Sequence, residues 1–478
     1  MDSRPCPASD VSGREAPLES ERPSVHFIGI CGTAMGAVAA AMAARGHRVT
    51  GSDARCYPPM SDFLRQQGLD PSEGFRPENV PEGVDLVVVG NAISRGNEEL
   101  EHVLERRLHY VSLPEVLRRF FLRGRRNLVV SGTHGKTTTS SMLAWMFECA
   151  GLAPGFLIGG LARNLGRGAR FGGSEFNVLE GDEYDTAFFD KRPKFVHYLP
   201  DTVVVNNIEF DHADIYADLE AVKTAFRHLL RLVPRNGRVV INGDDPVCLE
   251  VAAESLAPVE TVGLGEGATS RIGEVEYLPR QTSFTLAGTR YTLPMDGEFN
   301  LRNAAMAATV ARLHGIDPKT IQRALASFAG VGRRQESRGE RRGVRLVDDF
   351  AHHPTSVREA IRCMRQRHPG CRVWALFEPR SNTTRRKVFQ YELADSLAEA
   401  DMVVVAAVEN PGKVPEGERL DSGQLVERIR SAGREAEALD GADAIVDHVV
   451  GKAREGDVLL VLTNGGFGGI QAKLLEAL

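Results

Sequence analysis

Long apolar runs are missing from this chain of 478 residues, which has no stretch of about 20 uninterrupted apolar residues that could span a bilayer. A strong charge of either sign is also missing, because 64 acidic residues stand against 58 basic ones. A chain so nearly balanced gives no reason to expect a surface for nucleic acid or anionic lipid. We therefore expect small-molecule partners and no membrane insertion. At this length the chain should divide into about three domains.

Close cysteine pairs of zinc-finger spacing are missing too, and the seven cysteines are odd in number. We interpret them as reduced thiols of a cytoplasmic protein. Cys31 lies in a glycine-rich turn with no histidine or other base beside it in the local sequence, so we interpret it as a small turn residue and not as a nucleophile. Residues 1–22 lack the apolar middle of a secretory signal and are predicted to form a disordered tail.

Strand-like apolar runs alternate with helix-like segments along the rest of the chain, which predicts an α/β fold of parallel sheets covered by helices. The predicted sections are 23–124, 125–330 and 331–478. The first opens with VHFIGI, CGTAMG and RVTGSD, a βαβ unit with a glycine turn, and is predicted to be Rossmann-like, as is the third. A basic linker, RRFFLRGRRN, precedes the central section.

The central section begins with a strand, a glycine loop and a helix rich in hydroxyl residues, LVVSGTHGKTTTSS. Backbone N–H groups between Gly132 and Lys136, together with the helix dipole, would bind phosphate oxygens. Lys136 would reach the β- and γ-phosphates, and the Thr137 hydroxyl would hold Mg²⁺. The spacing departs from GxxxxGK[ST], because Val130 stands where the first glycine belongs. The simpler alternative is a helix start with a surface lysine, but the whole combination favours nucleotide binding.

GTHGKTTT resembles the ATP loop of the Mur ligases, which join amino acids or peptides to UDP-N-acetylmuramic acid. Further segments similar to motifs of that family follow in the family's order: LEGDEYD, NNIEFDHAD, GEFNLRNAAMAA, GVGRRQESRG and VDDFAHHPTS. The resemblance extends from about Val25 to the end of the chain. It implies three domains, with a central P-loop ATPase-like domain between Rossmann-like ones, and ATP-dependent amide formation through an acyl phosphate with Mg²⁺.

The resemblance also implies roles for individual residues. The implied catalytic residues are Lys136, His212 and Arg334, with Arg333 as the alternative arginine at the γ-phosphate. The implied metal ligands are Thr137, Glu180 and His212. Taken alone, the residues from Glu180 to Asp185 would be a solvated acidic loop and His212 a hydrogen-bonded loop histidine; the ordered set of motifs favours the site. The implied ATP-binding residues are Gly132, Thr133, His134, Gly135, Lys136, Thr137, Thr138, Asn300, Asn303, Arg334, Asp349 and His352.

The glycine turn of the first section resembles the UDP-sugar domain of the muramate-directed branch of the family, which implies a sugar-nucleotide site at the residues Gly29, Gly32, Thr33, Gly36, Asp53 and Asn164. Tight helix packing is an equal alternative for the glycines. The turn also imitates a dinucleotide fingerprint, so an NAD-binding oxidoreductase is a rival hypothesis. Its spacing is GxxGxxxG, however, and it leaves the phosphate loop unexplained. A P-loop transport or switch ATPase is the second rival.

Three segments bear on the acceptor: GDEYDTAFFDKRPKFVHYLP, EPRSNTTRR and TNGGFGG. They resemble the branch member that attaches the tripeptide L-Ala-γ-D-Glu-meso-diaminopimelate to UDP-N-acetylmuramate in peptidoglycan recycling. The alternative is the member that attaches L-alanine. A larger acceptor has more carboxylates to hold, so arginines such as Arg380, Arg385 and Arg386 make chemical sense there. The predicted acceptor residues are Arg380 and Asn382.

Several Mur ligases carry a carbamylated lysine about fifteen residues after the DH pair. In this chain Phe226 stands there, and Lys223 is most of a helical turn away. We therefore interpret Lys223 as a surface lysine and predict no carbamylation.

Overall fold

The computed structural model describes residues 22–58, 60–408, 412 and 414–478. The predicted tail therefore lies outside the described residues, except for Arg22. The chain separates into two compact units, 1–113 and 114–478, while the predicted section boundaries near residues 124 and 330 stay proposals. Within the described part, no helix is both long and apolar enough to cross a membrane.

The first unit is a five-stranded parallel sheet in the order β3-β2-β1-β4-β5. Its central strands are short apolar runs buried on both faces, VHFI and LVVV, as expected for a parallel sheet covered by helices. The polypeptide leaves β1 through the predicted glycine turn at the carboxyl edge of the sheet. The elements are β1 Val25–Ile28, α1 Thr33–Ala44, β2 Val49–Asp53, α2 Met60–Gln66, β3 Ser72–Glu73, β4 Leu86–Val89, α3 Glu98–Glu105 and β5 Tyr110–Ser112.

The predicted basic linker is helical. Helix α4 covers Leu113–Leu117 and continues into a π-helical turn, Arg118–Leu122. Phe121 and Leu122 are buried in this turn while its arginines stay at the surface or partly exposed. The first half of the predicted basic linker therefore packs through its apolar residues, which stand between the charges.

The second unit begins with a ten-stranded sheet in the order β17-β16-β15-β14-β13-β12-β6-β9-β7-β8. The strands from β15 to β7 in that order run parallel, and antiparallel pairs extend both edges. Its elements are β6 Arg126–Ser131, α5 Lys136–Cys149, β7 Gly155–Ala162, β8 Arg167–Arg170, β9 Phe176–Glu180, β10 Asp185–Ala187, β11 Asp190–Pro193, β12 Pro200–Val205, α6 Leu219–Arg231, β13 Arg238–Asn242, α7 Pro246–Ala252, β14 Val259–Gly263, β15 Ser270–Leu278, β16 Gln281–Leu286, β17 Thr289–Leu293, α8 Glu298–Leu313 and α9 Pro318–Ala326. Strands β10 and β11 form a separate hairpin.

A six-stranded sheet in the order β18-β19-β23-β20-β21-β22 completes the second unit. All neighbours are parallel except the β18–β19 pair. Its elements are β18 Glu336–Arg341, β19 Val344–Asp349, α10 Pro354–Arg367, β20 Val373–Phe377, α11 Gln390–Leu397, β21 Met402–Ala406, α12 Ser422–Ser431, β22 Glu435–Leu439, α13 Gly441–Lys452, β23 Val458–Leu462 and α14 Ile470–Ala477. The four strands predicted from RLVDDF, RVWALFEP, MVVVAAV and VLLVLTN are thus β19, β20, β21 and β23.

The functional residues lie where parallel strands end. Helices α5, α8 and α9 pack on one face of the ten-stranded sheet around a buried apolar cluster that includes Phe147, Phe156 and Phe284. This packing fixes the carboxyl ends of β6, β9 and β12, which lead into the phosphate loop, the acidic segment and the NNIEFDHAD segment. Ligand crevices of open α/β sheets form at such edges.

Candidate active site

The phosphate loop turns tightly between β6 and α5. Gly132 has φ +125° and Gly135 has φ +80°, values that disfavour any other residue. Thr133 N donates to Asn207 O (3.0 Å), and His134 N donates to Asn207 Oδ1 (2.7 Å). Asn207 therefore engages two of the N–H groups between Gly132 and Lys136, and phosphate binding by this loop stays a prediction. The donors left for phosphate belong to the first turn of α5, which the helix itself cannot satisfy.

Lys136 begins helix α5 and forms a buried ion pair with Glu183. Its Nζ lies 2.9 and 2.7 Å from the two carboxylate oxygens and also donates to Gly132 O (2.8 Å). Burial disfavours the lysine's charge, but the carboxylates of Glu183 and Asp182 outweigh that effect and raise the pKa of Lys136. The ammonium is thus held charged at the mouth of the phosphate loop, where the prediction requires a cation.

Thr137 and Glu180, the first two predicted metal ligands, are in contact. Thr137 Oγ1 donates to Glu180 Oε1 (2.9 Å), and Gly159 N donates to Oε2 (2.6 Å). Burial raises the pKa of Glu180 against the opposing effects of Gly159 N and Lys136. A hydroxyl and a carboxylate oxygen therefore point to one place beside Lys136, as binding of Mg²⁺ requires.

His212, the third predicted ligand, lies apart from that pair. Its Nε2 is 3.2 Å from Glu183 Oε1, and together with Asp182 the two residues form a group whose ligand atoms lie within 4.8 Å of one another. We call Asp182, Glu183 and His212 the acidic cluster. Burial opposes protonation of His212, but the bond to Glu183 prevails and raises its pKa.

The acidic segment is not a solvated loop. Glu183 and Asp185 are buried, and Asp182 is paired with Lys194 Nζ at 2.7 Å. Burial would raise the Asp182 pKa, but Lys194 and Lys136 prevail and lower it to about 2. Glu183, which pairs with both Lys136 and His212, was not among the site residues predicted from sequence. The motif LEGDEYD could have indicated Glu183, because it contains a second glutamate three residues after Glu180.

Arg334 is the arginine that reaches the phosphate loop. Its Nη2 donates to Thr137 Oγ1 (3.3 Å), and its guanidinium lies 4.8 Å from the centre of the Phe350 ring. Arg333 turns the other way and donates to the carbonyl oxygens of Thr463 (2.7 Å) and Gly465 (2.8 Å). Of the two arginines named from sequence, only Arg334 is therefore a contact of the loop.

A cavity beside the loop contains Asn303. The Asn303 Oδ1 accepts from Thr139 Oγ1 (3.1 Å), and its buried Nδ2 has no hydrogen-bond partner. Asn300 bonds instead to Asp296 O (2.8 Å) and is absent from the cavity wall. The unpartnered amide is a donor that a ligand bound here would satisfy, and the role of Asn303 at ATP stays a prediction. The wall is formed by Asn206, Asn207, Asn242, Val262, Ile272, Phe299, Arg302, Asn303 and Met306.

His134 of the phosphate loop packs against His353 from the start of α10, with ring centres 4.5 Å apart. Glu209 lies between them, 3.5 Å from a nitrogen of each ring, and accepts a bond from Thr355 Oγ1 (2.7 Å). Burial lowers the pKa of His353 to about 4. These contacts connect the phosphate loop with the six-stranded part of the unit.

Asp349 and His352, also predicted at the ATP, are engaged locally. Asp349 accepts from Gln335 N (2.8 Å) and Ala351 N (2.7 Å), and His352 Nδ1 lies 3.0 Å from Phe350 O. Burial raises the pKa of Asp349 and lowers that of His352. Their roles at ATP stay predictions, as does that of Thr138, which is buried in the first turn of α5.

The segment 380–386, which follows β20, contacts Tyr184 and Asp214, two residues that neighbour the acidic cluster in sequence. Asn382 Nδ2 donates to Asp214 Oδ2 (2.8 Å) and Tyr184 Oη (3.2 Å), and Tyr184 Oη bonds to the same Asp214 oxygen. Arg380 lies 3.7 Å from Glu378 and passes so close to Gly465 that a Cβ there would overlap its Cδ. Of the two predicted acceptor residues, Asn382 is thus linked through Tyr184 to His212, whose ring centre is 4.8 Å from that of Tyr184.

Models of three parts of one family match the chain: the Mur ligase family catalytic domain at residues 24–125, the Mur ligase middle domain at 130–311, and the Mur ligase glutamate ligase domain at 333–465. The chain belongs to the Mur ligase family. This membership removes the oxidoreductase and transport-ATPase hypotheses.

Individual relatives of this Mur ligase are also similar over almost their whole length. The UDP-N-acetylmuramate–L-alanyl-γ-D-glutamyl-meso-2,6-diaminoheptandioate ligase of Escherichia coli is 41% identical over 95% of this chain and 98% of its own. The crystal structure of a murein peptide ligase from Psychrobacter arcticus is 35% identical, with a TM-score of 0.71 over 95% of this chain and 98% of that one. A UDP-N-acetylmuramate–alanine ligase from Thermotoga maritima has a TM-score of 0.76 over 95% and 99% at 21% identity, which shows a shared fold alone.

The three glycines in the glycine turn of this Mur ligase differ in backbone conformation and in packing. Gly29 has φ +89°, whereas a Cβ at Gly36 would come within 2.6 Å of Met60 Sδ in α2. Gly36 therefore serves helix packing, the alternative left open above. Gly32 and Thr33 are exposed at the start of α1, and Asp53 accepts from Cys31 N (2.8 Å). The sugar-nucleotide roles of these residues stay predictions.

Asn164, in the second unit, fixes the backbone of a neighbouring loop. Its Nδ2 donates to Ser327 O (2.8 Å), and its Oδ1 accepts from Ala329 N (2.7 Å). Both ends of the amide are therefore engaged within the protein. The second N–H and the second lone pair of the amide remain for a ligand, and the role of Asn164 at the sugar nucleotide stays a prediction.

Lys223, interpreted from sequence as a surface lysine, is largely covered by its ion-pair partners. Its Nζ lies between Glu220 (2.7 Å) and Glu250 (2.8 Å), and only 11% of its side chain is exposed. Phe226, at the position of the family's carbamylated lysine, is fully buried and packs on Phe195.

Proposed function

We propose that this Mur ligase joins the carboxylate of UDP-N-acetylmuramate to the amino end of L-Ala-γ-D-Glu-meso-diaminopimelate at the expense of ATP, as the named E. coli relative does. The observation that carries the proposal is the meeting of three segments at one place. Arg334 contacts Thr137 (3.3 Å), His212 contacts Glu183 (3.2 Å), and Asn382 contacts Asp214 (2.8 Å). A site for phosphate, a site for cations and a segment for the acceptor therefore adjoin.

Mg²⁺ fits the residues present, because Thr137, Glu180 and the acidic cluster supply mainly oxygen ligands. Bound there, it would neutralise charge on the phosphates of ATP. The chain's own contribution is Lys136, which its neighbours keep charged. For ATP to reach Lys136, the γ-phosphate must share or replace the Glu183 carboxylate, since both compete for the same ammonium.

The first chemical step brings two anions together. Two unit charges 4 Å apart repel each other by about 4 kcal/mol at an effective dielectric of 20. Lys136 and Arg334 are the cations of the site that would offset this repulsion. The muramate carboxylate oxygen attacks the γ-phosphorus, the bond to the β-phosphate oxygen breaks, and an acyl phosphate and ADP result.

The second step forms the amide. The neutral amine of the peptide attacks the acyl carbon, the bond to the phosphate oxygen breaks, and inorganic phosphate leaves with the amine proton passing to the surroundings. A tripeptide carries carboxylates beyond its reacting amine, and these would need cationic partners such as the arginines of segment 380–386. This requirement supports a peptide acceptor over L-alanine.

The remaining parts of the proposal follow from the substrates. The glycine turn at Gly29 and Gly32, with Thr33 and Asp53, would bind the UDP-sugar, and the cavity at Asn303 would bind the base of ATP. The product is a nucleotide-linked muropeptide, so the reaction belongs to peptidoglycan recycling, and both nucleotide substrates favour the cytoplasm as its location.

Phosphate release with ATP, Mg²⁺ and UDP-N-acetylmuramate decides between the acceptors. We expect rapid release with the tripeptide, slow release with L-alanine, and little release without an acceptor. The Lys136→Met variant is the control and should be inactive with both. A clear preference for L-alanine would refute the peptide-ligase proposal and leave the alanine-ligase alternative. Rapid ATP hydrolysis without an acceptor would refute ligase chemistry altogether.

A further inference from the structure

Segment 380–386 is connected to the acidic segment by a contact among three residues. Two of them, Tyr184 and Asp214, have no role in the reaction steps proposed above. Asn382 belongs to the six-stranded part of the second unit, whereas Tyr184 and Asp214 belong to loops of the ten-stranded part. The Asn382 amide donates to both of them, at 2.8 Å to Asp214 and 3.2 Å to Tyr184. We call Tyr184, Asp214 and Asn382 the bridging triad.

The bridging triad has a defined place relative to the reacting groups. The Tyr184 ring stands edge-on to His212, with ring centres 4.8 Å apart and an interplanar angle of 84°. On its other side, Lys194 Nζ lies 5.8 Å from the centre of the Tyr184 ring while it pairs with Asp182. Tyr184 thus packs on one member of the acidic cluster while its hydroxyl bonds to Asp214 and Asn382.

A second contact joins the same two loops. Ala213 N donates to Thr383 Oγ1 (3.3 Å), so the residues next to Asp214 and Asn382 are also bonded. Two adjacent bonds between the same loops fix both the distance and the direction of segment 380–386, whereas a single bond would leave it free to rotate. Arg380 then enters beside Gly465, where the lack of a side chain gives it room.

We propose that Tyr184 is a positioning residue that determines acceptor specificity. Through Asp214 and Asn382 it holds segment 380–386 at a fixed distance from the acidic cluster. That distance sets where the far carboxylates of a peptide are bound when its amine is at the acyl phosphate. L-Alanine has no far end and does not depend on it. This inference rests on the proposed peptide-ligase function.

Tyr184→Phe tests the inference, because it removes the hydroxyl and keeps the ring on His212. The variant loses the bond that Tyr184 donates to the Asp214 carboxylate and the bond that it accepts from Asn382, which weakens the interaction about tenfold. We expect the KM for the tripeptide to rise by that factor, the KM for ATP to change by less than about twofold, and the melting temperature to fall by no more than about 2 °C. The tripeptide's advantage over L-alanine in kcat/KM should shrink to the same extent. Tyr391→Phe, at a tyrosine that is 61% exposed on α11, is the matched control.

A double-mutant cycle with Asn382→Ala distinguishes positioning from a general loss of stability. If the two residues act along one path, the double variant should have nearly the same tripeptide KM as Asn382→Ala alone. Additive effects, equal rises in the KM for ATP and tripeptide, or an unchanged tripeptide KM in Tyr184→Phe would each overturn the inference. A wild-type enzyme that prefers L-alanine would instead refute the proposed function, a result visible before any variant is made.

Discussion

Lys136 and Glu183 form an ion pair from which water is almost excluded, with Nζ 2.7 Å from Oε2 and side-chain exposures of 12% and 3%. The same carboxylate lies 3.2 Å from His212. Glu183 therefore contacts both Lys136 and His212, two residues that the proposed reaction needs. A buried charge that has lost its partner lowers the free energy of unfolding. Variants of this pair can therefore show separate effects on stability and on activity.

Lys136→Met is expected to lower kcat by about 100- to 1,000-fold, since it removes the cation at the transferred phosphate. It should also lower the free energy of unfolding by about 3 kcal/mol, because it leaves Glu183 buried with only His212 as partner. The double variant Lys136→Met/Glu183→Gln should recover most of that stability and none of the activity. Urea unfolding and phosphate release measure the two effects. Equal stabilities of the single and double variants would contradict this account of the pair.

Gly465→Ala is expected to raise the KM for the acceptor about tenfold, the equivalent of one lost charge-assisted hydrogen bond. A Cβ at this position overlaps Arg380 Cδ and must displace the side chain. Gly466→Ala is the matched control, because a Cβ at Gly466 meets no atom within 4 Å. Steady-state kinetics with varied tripeptide distinguishes the two variants. A similar loss in both would mean that backbone freedom of the TNGGFGG segment, and not the space for Arg380, is what matters.

The local parts of this structure could be predicted from sequence. The strands β19, β20, β21 and β23 follow from apolar runs, and the phosphate loop follows from two glycines and a lysine at the start of a hydroxyl-rich helix. The contacts that complete the site could not be predicted, because they join distant residues. Lys136 and Glu183 are 47 positions apart, and the His134–Asn207 contact spans 73. No periodicity links such residues, so only the folded sheet edge brings them together.

Motif order gave the correct family, yet it could not say which side chains are engaged by the protein itself. Asn207 accepts hydrogen bonds from two N–H groups of the phosphate loop that were expected to bind phosphate. Asn164 forms hydrogen bonds to residues 327 and 329 through both its amide nitrogen and its amide oxygen. In each case a polar side chain near a loop satisfies backbone groups first, because buried N–H and C=O groups must be paired. Motif matching assigns such residues to a ligand unless the tertiary contacts are known.

Lys223 is expected to stay uncarbamylated, and Lys223→Met is expected to keep wild-type kcat and KM. Carbamylation needs the neutral amine, whereas hydrogen bonds to Glu220 and Glu250 raise the pKa of Lys223 and keep it protonated. Incubation with ¹³C-bicarbonate followed by ¹³C NMR should show no carbamate signal. A carbamate resonance that disappears in Lys223→Met, together with loss of activity, would refute the prediction.

His314 is expected to make the stability of the second unit sensitive to mildly acidic pH. The ring packs against Phe176, with ring centres 5.7 Å apart; its Nδ1 accepts from Arg126 Nη2 (3.0 Å), and its Nε2 bonds to Thr202 Oγ1 (2.9 Å). Because a guanidinium can only donate, the ring proton resides on Nε2. Burial, followed by the charge of Arg126, lowers the pKa of His314 to about 4, so the folded protein keeps the ring neutral.

The sign of the effect follows from the two pKa values. In the unfolded chain the histidine titrates near 6.5. Between about pH 6.5 and 4 the unfolded chain binds a proton at His314 that the folded protein does not bind. The free energy of unfolding is therefore highest above pH 6.5 and falls as the pH is lowered through this range. The loss should be about 2 kcal/mol, less than the full shift implies because the ring is partly exposed. In urea unfolding at pH 7.5, 6, 5 and 4.5, wild type should lose this stability relative to His314→Gln, whose amide keeps an acceptor and a donor. The exposed His228→Gln should follow wild type, and parallel curves for wild type and His314→Gln would show that His314 does not titrate in this window.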